Sequence, residues 1–388
     1  MEFRNWSWRL ALLVLPWQTH LIFINGFLIY LSWLPMLVCI YLALVISPRP
    51  KLNRRNKLAI LGFVALVLVS MVSAFPVATW QWWIQALLLT GFAWSLTRLN
   101  VDLHDLLTWS VISIIPHALL AIQQGMTQHV FGSTLLGIAP QDPITRGVAV
   151  VESAGVRFLR AYGGMPYPNI LGGYLVFALP ASIWLAYRNR LWIIASSLFA
   201  IALVLTHSRS AWIACAVLLI ALAWKYRKSL PDKRAPLVVL ASLVVAIIWQ
   251  WPLLHTRVTA EGRLEARSVS ERVAGTQAGI TIFREHPWTG IGLNAFSATL
   301  PNYALPHSIP LLILAETGVI GFGALLLLGS LFCTSTIVRR DRLLLMILPV
   351  AILAALDHYL WSYWSGHVLL ALLTVWMCLG VDKSAKIT

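Results

Sequence analysis

His307 is the residue of this sequence best placed to act as a base. It lies in PHSIPLLILAETGVIGFG (306–323), directly before a long apolar run. An imidazole just outside a helix can accept a proton near neutral pH, as a general base must. A single histidine at such a position is more often structural than catalytic. Ser308 and Pro310 suit the first turn of a helix. Glu316 lies about two and a half turns deeper, as a satisfied buried acid or a partner that orients the histidine.

Arginines are the second set of residues that could do chemistry. RFLRAYGGMPYPNILGGYLVF carries Arg157 and Arg160 before a Gly-Gly turn, and Asn169 is placed to cap the helix that follows. Arg209 lies in THSRSAW, a short polar turn between two apolar runs. Guanidinium groups near a helix N-terminus favour anions, and their planar fork matches phosphate oxygens. The alternative is that these arginines lie at a membrane surface or pair with glutamates.

The composition indicates which elements must position these residues. Of the 388 residues, 59% are hydrophobic and 11% are charged. A soluble domain carries roughly a quarter of charged residues. Apolar runs close to the ~20 residues that cross a bilayer recur along the chain. The sequence therefore predicts an all-α polytopic membrane protein that forms one integral-membrane domain over residues 1–388.

The charges predict a topology with about twelve transmembrane helices. The predicted spans are 8–27, 28–47, 58–75, 81–97, 106–122, 168–187, 191–206, 210–224, 236–252, 307–333, 343–358 and 361–380. All seven lysines lie in the segments 48–57, 225–234 and 382–386. The positive-inside rule places these segments and both termini in the cytoplasm. The net charge of +15 then reflects loops that face anionic membrane lipids, and no nucleic-acid partner is expected.

Two long loops are predicted on the opposite side of the membrane, at 123–167 and 253–306. The second has the pattern of short amphipathic helices at the interface. Nine basic residues lie on that side or at its edge, and all are arginines: Arg146, Arg157, Arg160, Arg209, Arg257, Arg263, Arg267, Arg272 and Arg284. An all-arginine set fits phosphate recognition.

The sequence predicts no metal site and no cofactor. No HExxH motif and no cysteine–histidine cluster occurs, and the four cysteines lie within apolar runs. His358 and the other histidines in or beside spans are weaker candidates than His307, because no partner clusters with them in the sequence.

Four segments in this order resemble the bacterial O-antigen ligase family. His307, Ser308, nine residues, Gly318 and Gly321 match the pattern H-[N/S/Q]-x9-G-x2-[G/T/Y]. RAYGGMPYPNILGGYL resembles the family's Arg/Gly…Pro-Asn element, and SRSAW resembles its Ser-Arg turn. FREHPWTGIGLNAF resembles the His-Pro…Gly-x-Gly stretch before the catalytic histidine. The resemblance covers residues 157–325, and the wider family also includes polymerases and protein O-oligosaccharyltransferases.

The resemblance implies a type C glycosyltransferase-like fold in the bacterial inner membrane, with its active site facing the periplasm. The enzyme would transfer a polysaccharide from undecaprenyl diphosphate to a lipid A–core hydroxyl, without a metal or cofactor. Direct displacement by the hydroxyl would invert the anomeric centre. His307 would act as the general base. Residues that would hold the donor diphosphate are Arg209, Arg160 or Arg157, and Arg272, ahead of Arg263 and Arg257. Supporting residues would be Ser308, Glu316, Asn169 and Arg263.

Other functions stay open at this point. A polymerase would use the same donor with a glycan acceptor. A protein O-oligosaccharyltransferase is less expected, because those chains usually carry extra C-terminal periplasmic sequence. A transporter of the lipid-linked glycan also fits twelve spans, but it would show broken helices, repeat symmetry and charges near the midplane. Glu316 and Asp357 are the intramembrane charge candidates, and the sequence shows no such symmetry.

Overall fold

The computed structural model describes residues 2–24, 27–46, 54–99, 101–227, 234–259, 263–335 and 338–379. Its helices are α1 (Glu2–Val14), α2 (Trp33–Ile46), α3 (Arg54–Ser70), α4 (Pro76–Arg98), α5 (Leu103–Thr127), α6 (Pro168–Ala186), α7 (Trp192–Leu205), α8 (Arg209–Tyr226), α9 (Arg234–Trp249), α10 (Trp251–Thr259), α11 (Arg263–Glu285), α12 (Phe296–Thr299), α13 (Ile309–Cys333), α14 (Arg340–Leu356), α15 (Tyr359–Ser362) and α16 (Trp364–Cys378). Two antiparallel hairpins pair β1 (His20–Ile24) with β2 (Phe27–Tyr30) and β3 (Val150–Ser153) with β4 (Val156–Leu159).

Several helices have the length and composition of membrane spans, so the chain is an all-α multi-pass membrane protein. Among the described residues, α5, α6, α8 and α13 are long and apolar enough to cross a bilayer. The pair α9–α10 passes the same test but bends by 81°, as a broken span or a re-entrant loop does. Helices α2, α7 and α16 are shorter apolar helices. The count of twelve spans and the type C architecture stay predictions.

The N-terminal region differs from the prediction of continuous spans at 8–27 and 28–47. Helix α1 ends at Val14, and the β1–β2 hairpin pairs His20 with Tyr30. Pro16 follows the helix end and has no backbone N–H, so it cannot continue the helix. Thr19 donates a hydrogen bond from Oγ1 to the carbonyl oxygen of Leu135 at 2.8 Å. The hairpin is thereby held against the first long loop.

Helix α6 lies at the centre of the bundle and brings two predicted site segments together. Leu171 and Leu175 are fully buried, and the helix packs against α5, α7 and α8. A Cβ at Gly172 would lie 2.7 Å from Cβ of Ala211 on α8. Small residues let two helices approach closely. The N-terminal ends of α6 and α8 therefore lie side by side, with Asn169 and Arg209 at these ends.

The first long loop is fixed to the bundle through side-chain amides of α5 and of Gln128, the residue that ends this helix. Oε1 of Gln124 accepts hydrogen bonds from the backbone N–H groups of Tyr162 and Gly163, both at 2.9 Å. Oε1 of Gln128 accepts from the N–H of Leu159 at 2.7 Å. These bonds hold the segment that carries Arg160.

The second long loop contains one long helix, α11, between the short helices α10 and α12, whereas the sequence predicted short helices throughout. Helix α11 packs against α13. A Cβ at Gly275 would lie 2.5 Å from the carbonyl oxygen of Ala304, and one at Gly279 would lie 2.9 Å from Pro306. Two glycines thus let α11 press against the segment that leads into His307.

Helix α13 is broken at Gly318, which has φ 60° and ψ −169°. Residues 287–292 form backbone hydrogen bonds on both sides of this break. The N–H groups of Ile291 and Gly292 donate to the carbonyls of Ala315 and Glu316, at 3.2 and 2.8 Å. The N–H groups of residues 319 and 320 donate to the carbonyls of residues 287 and 288, at 2.9 and 3.2 Å. The loop therefore satisfies backbone groups that the break leaves without a helical partner.

The basic segments predicted to be cytoplasmic lie largely outside the described residues, at 48–53, 228–233 and 382–386. At their described edges, Lys225 pairs with Asp341 at 3.2 Å. This ion pair joins the C-terminal end of α8 to the N-terminal end of α14. Both ends belong to segments that the sequence predicts on one side of the membrane.

Candidate active site

His307 lies two residues before the first residue of α13, at the mouth of the helix. Ser308 occupies the N-cap position, although its side chain makes no capping hydrogen bond. Nδ1 of His307 lies 3.9 Å from Oδ1 of Asp357, and 26% of the histidine side chain is exposed. The His307 ring also meets the His358 ring edge-on, with 5.1 Å between centroids. The imidazole is therefore half-buried beside a carboxylate.

Asp357 lies in the turn between α14 and α15, where two donors hold it. Oδ2 accepts a hydrogen bond from Nδ2 of Asn169 at 2.5 Å. Oδ1 accepts from the backbone N–H of His358 at 2.8 Å. Only 4% of the Asp357 side chain is exposed. The carboxylate that faces His307 is thus fixed in orientation by its neighbours.

The prediction that Asn169 caps α6 is wrong. The N-cap residue is Tyr167, and Pro168 occupies the first turn. Proline is favoured at the first helical position because its missing N–H would be unsatisfied there anyway. The helix therefore starts before Asn169, whose side chain is left free to donate to Asp357.

Four arginines form a second group, the arginine cluster: Arg160, Arg209, Arg257 and Arg272. Glu265 on α11 is 5% exposed in its side chain and lies between two of them. It pairs with Arg257 and lies 3.5 Å from Nη2 of Arg209. Arg209 also donates to the carbonyl oxygen of Arg257 at 3.2 Å, so one carboxylate holds two guanidinium groups together.

Arg160 and Arg272 connect the arginine cluster to His307. Nε of Arg160 donates to the carbonyl oxygen of Thr206 at 2.9 Å, next to the turn that carries Arg209. Nε of Arg272 is buried without a hydrogen-bond partner in the described part of the chain. Burial lowers the pKa of Arg272, the charge of Arg209 lowers it further, and Asp357 and Glu265 oppose the shift. Arg272 therefore lies within electrostatic range of both groups.

The surroundings keep His307 neutral at pH 7. Burial lowers its pKa to about 4, Asp357 opposes this shift, and Arg272 and His358 add to it. Burial is also the main cause of a lowered pKa at His358, again opposed by Asp357. A neutral imidazole has a free lone pair, so His307 is ready to accept a proton.

Two of the predicted arginines lie apart from these groups. Arg157 donates from Nη1 and Nη2 to the carbonyl oxygens of residues 144 and 145, at 3.0 and 3.2 Å. The side chain of Arg263 is 74% exposed and lies 3.8 Å from Glu152. Of the pair Arg157 and Arg160, the geometry favours Arg160. Arg257, which the sequence analysis placed behind Arg272 as a donor-binding arginine, is buried inside the arginine cluster.

Glu316 is a satisfied buried acid and contacts other parts of the fold. Oε1 accepts from the backbone N–H of Phe296 at 3.3 Å, at the start of α12. Oε2 accepts from Nε1 of Trp361 at 2.8 Å. The carboxylate joins the second loop to α15, so it supports the fold around the site.

The prediction that His358 lacks clustered partners is wrong. His307, Asp357 and His358, here called the His–Asp–His cluster, each offer a ligand atom within 4.8 Å of the others. Imidazole and carboxylate are ligands that zinc takes in proteins. The prediction that the chain has no metal site stays a prediction. The available signal was the Asp-His pair at the end of an apolar run, but nothing local indicated that this turn meets the start of α13.

Residues 194–326 match a family model described as O-antigen ligase. The resemblance to the O-antigen ligase family is confirmed. The matched O-antigen ligase segment runs from α7 into α13 and includes Arg209, Arg257, Arg272 and His307. Arg160 and Asp357 lie outside it and reach the site through the fold. No curated protein matches the chain.

The glycine of the O-antigen ligase histidine pattern has a structural reason in this chain. Gly318 has a positive φ, and a Cβ there would lie 2.3 Å from the carbonyl carbon of Trp288. A side chain is excluded by both the conformation and the contact. The FREHPWTGIGLNAF element (283–296) contains residues 287–292, whose backbone is hydrogen-bonded to both sides of this break. In this chain the two motifs therefore meet through one set of backbone hydrogen bonds.

Proposed function

We propose that this chain is an O-antigen ligase that transfers a polysaccharide from undecaprenyl diphosphate to a hydroxyl of lipid A–core. The proposed site faces the periplasm at the inner membrane. One observation carries the proposal: a neutral imidazole, His307, lies beside an arginine cluster whose positive charge is only partly compensated. A base and an anion site at one place are what glycosyl transfer from a lipid diphosphate requires.

In the proposed reaction His307 removes the proton of the acceptor hydroxyl. Its Nδ1 faces Asp357, so Nε2 is the nitrogen that takes the proton. The acceptor oxygen forms a bond to the anomeric carbon, while the bond from that carbon to the diphosphate oxygen breaks. The electron pair leaves with the diphosphate, and the anomeric centre inverts. A positioned base contributes ~10²–10⁴-fold to such a rate.

Asp357 supports the base by its charge and orientation. At 3.9 Å the contact with Nδ1 is electrostatic and too long for a hydrogen bond. When His307 becomes an imidazolium ion, the nearby carboxylate stabilises the new positive charge. Catalytic contacts of this kind tighten when substrate binds.

The arginine cluster stabilises the departing diphosphate. Its four guanidinium groups face two buried carboxylates, Glu265 and Asp357, which leaves an excess of two positive charges. An ionised diphosphate diester carries an equal and opposite charge. Arg272 has a free Nε and lies near both Arg209 and Asp357, so it is the guanidinium we assign to the bridging phosphate. Preorganised donors of this kind act where the charge develops.

The test offers the purified chain a lipid-diphosphate-linked glycan together with lipid A–core in one vesicle preparation. We expect glycan on lipid A, and none with the His307→Ala variant. Longer lipid-linked chains would show a polymerase in place of a ligase. Movement of the glycan across the membrane without a new bond would show a transporter.

A further inference from the structure

The His–Asp–His cluster places a set of metal-ligand atoms within the candidate active site. We propose that it binds one divalent transition-metal ion of the zinc type, and that this ion switches the enzyme off, because an ion on Nδ1 of His307 leaves the ring proton on Nε2, which then cannot accept another. The inhibitory part rests on the proposed function, since it requires that His307 be the base. The binding part rests on geometry alone.

The ligand atoms are close enough for one ion. Nδ1 of His307 lies 3.9 Å from Oδ1 of Asp357, and all three ligand atoms lie within 4.8 Å of one another. Zinc ligands at ~2.0–2.2 Å in a tetrahedron are roughly 3.3 Å apart. Side-chain movements of about 1 Å, small rotations within one rotamer well, bring the three atoms to that spacing.

The outer atoms of two ligands are already held in the orientation that a metal needs. Asn169 donates to Oδ2 of Asp357 at 2.5 Å, which leaves Oδ1 facing the histidines. Nδ1 of His358 lies 2.7 Å from Oγ of Ser362, so Nε2 is the ring nitrogen that we assign to the ion. Metal-bound histidines and carboxylates are usually fixed by partners of this kind.

The third ligand has a free atom that points at this space. Nδ1 of His307 is buried and has no hydrogen-bond partner among the described residues. A buried polar atom without a partner is costly, and an ion would satisfy it.

The charges around the cluster determine which ions it accepts. Asp357 attracts a cation, while Arg272 and Arg160, which both lie within electrostatic range of Asp357, repel it. An ion bound mainly by electrostatics, such as Mg²⁺ or Ca²⁺, prefers a set of oxygen ligands that this cluster does not offer. Zn²⁺ and Co²⁺ bind neutral imidazole well. The site therefore selects by ligand type.

The deciding experiment measures binding to the full chain without any substrate. The purified protein is treated with a chelator, dialysed, and titrated with Zn²⁺ by calorimetry, and with Co²⁺ by its visible absorption. We expect one ion per chain, no binding of Mg²⁺, and affinity at least about tenfold weaker in His358→Ala. His255→Ala, an exposed histidine on α10, is the matched control and should bind like the parent.

Two results would overturn the proposal: no Zn²⁺ binding, or equal binding in His358→Ala and the parent. His307→Gln, which keeps the size of the side chain, serves if His358→Ala does not fold, and it should lose the ion as well. In the transfer assay Zn²⁺ should lower the rate and a chelator should restore it. Activation by Zn²⁺ would contradict an inhibitory ion. Because binding is measured without donor or acceptor, its outcome is independent of whether the ligase assignment holds.

Discussion

The carboxylate of Asp357 lies 3.9 Å from Nδ1 of His307 and joins the turn after α14 to the mouth of α13. This contact brings together one residue before α13 and one after α14, and Asn169 of α6 holds the carboxylate at 2.5 Å. The proposed base therefore lies within a group whose members come from three parts of the chain.

Removing the imidazole should abolish transfer without unfolding the protein. His307→Ala is expected to lower the transfer rate by ~10²–10⁴-fold, the usual contribution of a general base. The side chain is 26% exposed and lies outside α13, so its truncation should cost little in packing. The rate is measured with a lipid-diphosphate donor, and the melting temperature is measured in parallel. Full activity in this variant, with His255→Ala as the control, would refute the role of the base.

Neutralising Asp357 should move the pH dependence of the reaction. The negative charge of Asp357 raises the pKa of His307 against the effect of burial. In Asp357→Asn the pKa of His307 falls further below about 4, so the acidic limb of the pH–rate profile moves to lower pH. The plateau rate also falls, because a weaker and less well-oriented base remains. An unchanged acidic limb would show that Asp357 has only a structural role.

Arg272 should affect donor binding through its geometry as well as its charge. A charge-assisted hydrogen bond is worth about 1.5–3 kcal/mol, so Arg272→Ala should raise the KM for the donor by roughly 10–100-fold. Arg272→Lys keeps the charge but loses the planar fork, and most of the loss should persist. Arg284→Ala, an exposed arginine near the end of the same helix, is the matched control. A full rescue by lysine would mean that the charge alone matters.

Glu265 should be essential for the stability of the fold, independently of the transfer reaction. Glu265→Gln leaves Arg257 buried without its carboxylate, and breaking a buried pair costs about 3–5 kcal/mol. Glu152→Gln removes a partner of the exposed Arg263, and such a surface pair is worth ~0–1 kcal/mol. Thermal unfolding in detergent should separate the two variants clearly. Added pyrophosphate should restore part of the loss in Glu265→Gln, since it can replace the missing anion.

Two glycines of α13 should respond in opposite ways to the same substitution. Gly318→Ala adds a Cβ at a positive φ, 2.3 Å from the backbone of Trp288. The conformation alone costs roughly 1–2 kcal/mol, and the contact adds to it. A Cβ at Gly323 meets nothing within 4 Å, so Gly323→Ala should be neutral or stabilising by about 0.5–1 kcal/mol. Equal melting temperatures for both variants would contradict the break at Gly318.

Some residues of the candidate site could be predicted from the local sequence pattern alone. His307 precedes an apolar run, and Arg209 lies in a polar turn between two such runs, so both could be placed at helix ends from local pattern alone. Asp357, His358 and Glu265 could not be assigned this way. Asp357 and His358 lie in a turn that contacts the start of α13 only in the folded chain. The role of Glu265 on α11 likewise depends on its contact with Arg209 at the N-terminal end of α8. Such placements depend on tertiary packing, which periodicity does not encode.

The hairpin at 20–30 shows the same limit within the fold. Its strands are as apolar as the flanking helices, so hydropathy alone predicts one continuous span. Pro16 and the polar residues after it decide against a helix, but only the contact of Thr19 with Leu135 shows where the turn goes.

The backbone hydrogen bonds between residues 287–292 and the break in α13 have a consequence for how the sequence of this chain can evolve. Hydrogen bonds between main-chain atoms do not depend on which side chains the residues carry. Trp288 is 68% exposed, so its position should accept many residue types without loss of these hydrogen bonds. Gly290 has no such latitude, since a Cβ there would lie 2.3 Å from the main chain of Glu316. A library of variants across this strip should therefore accept many residue types at position 288 but only glycine at position 290, while His307 keeps its place at the mouth of α13.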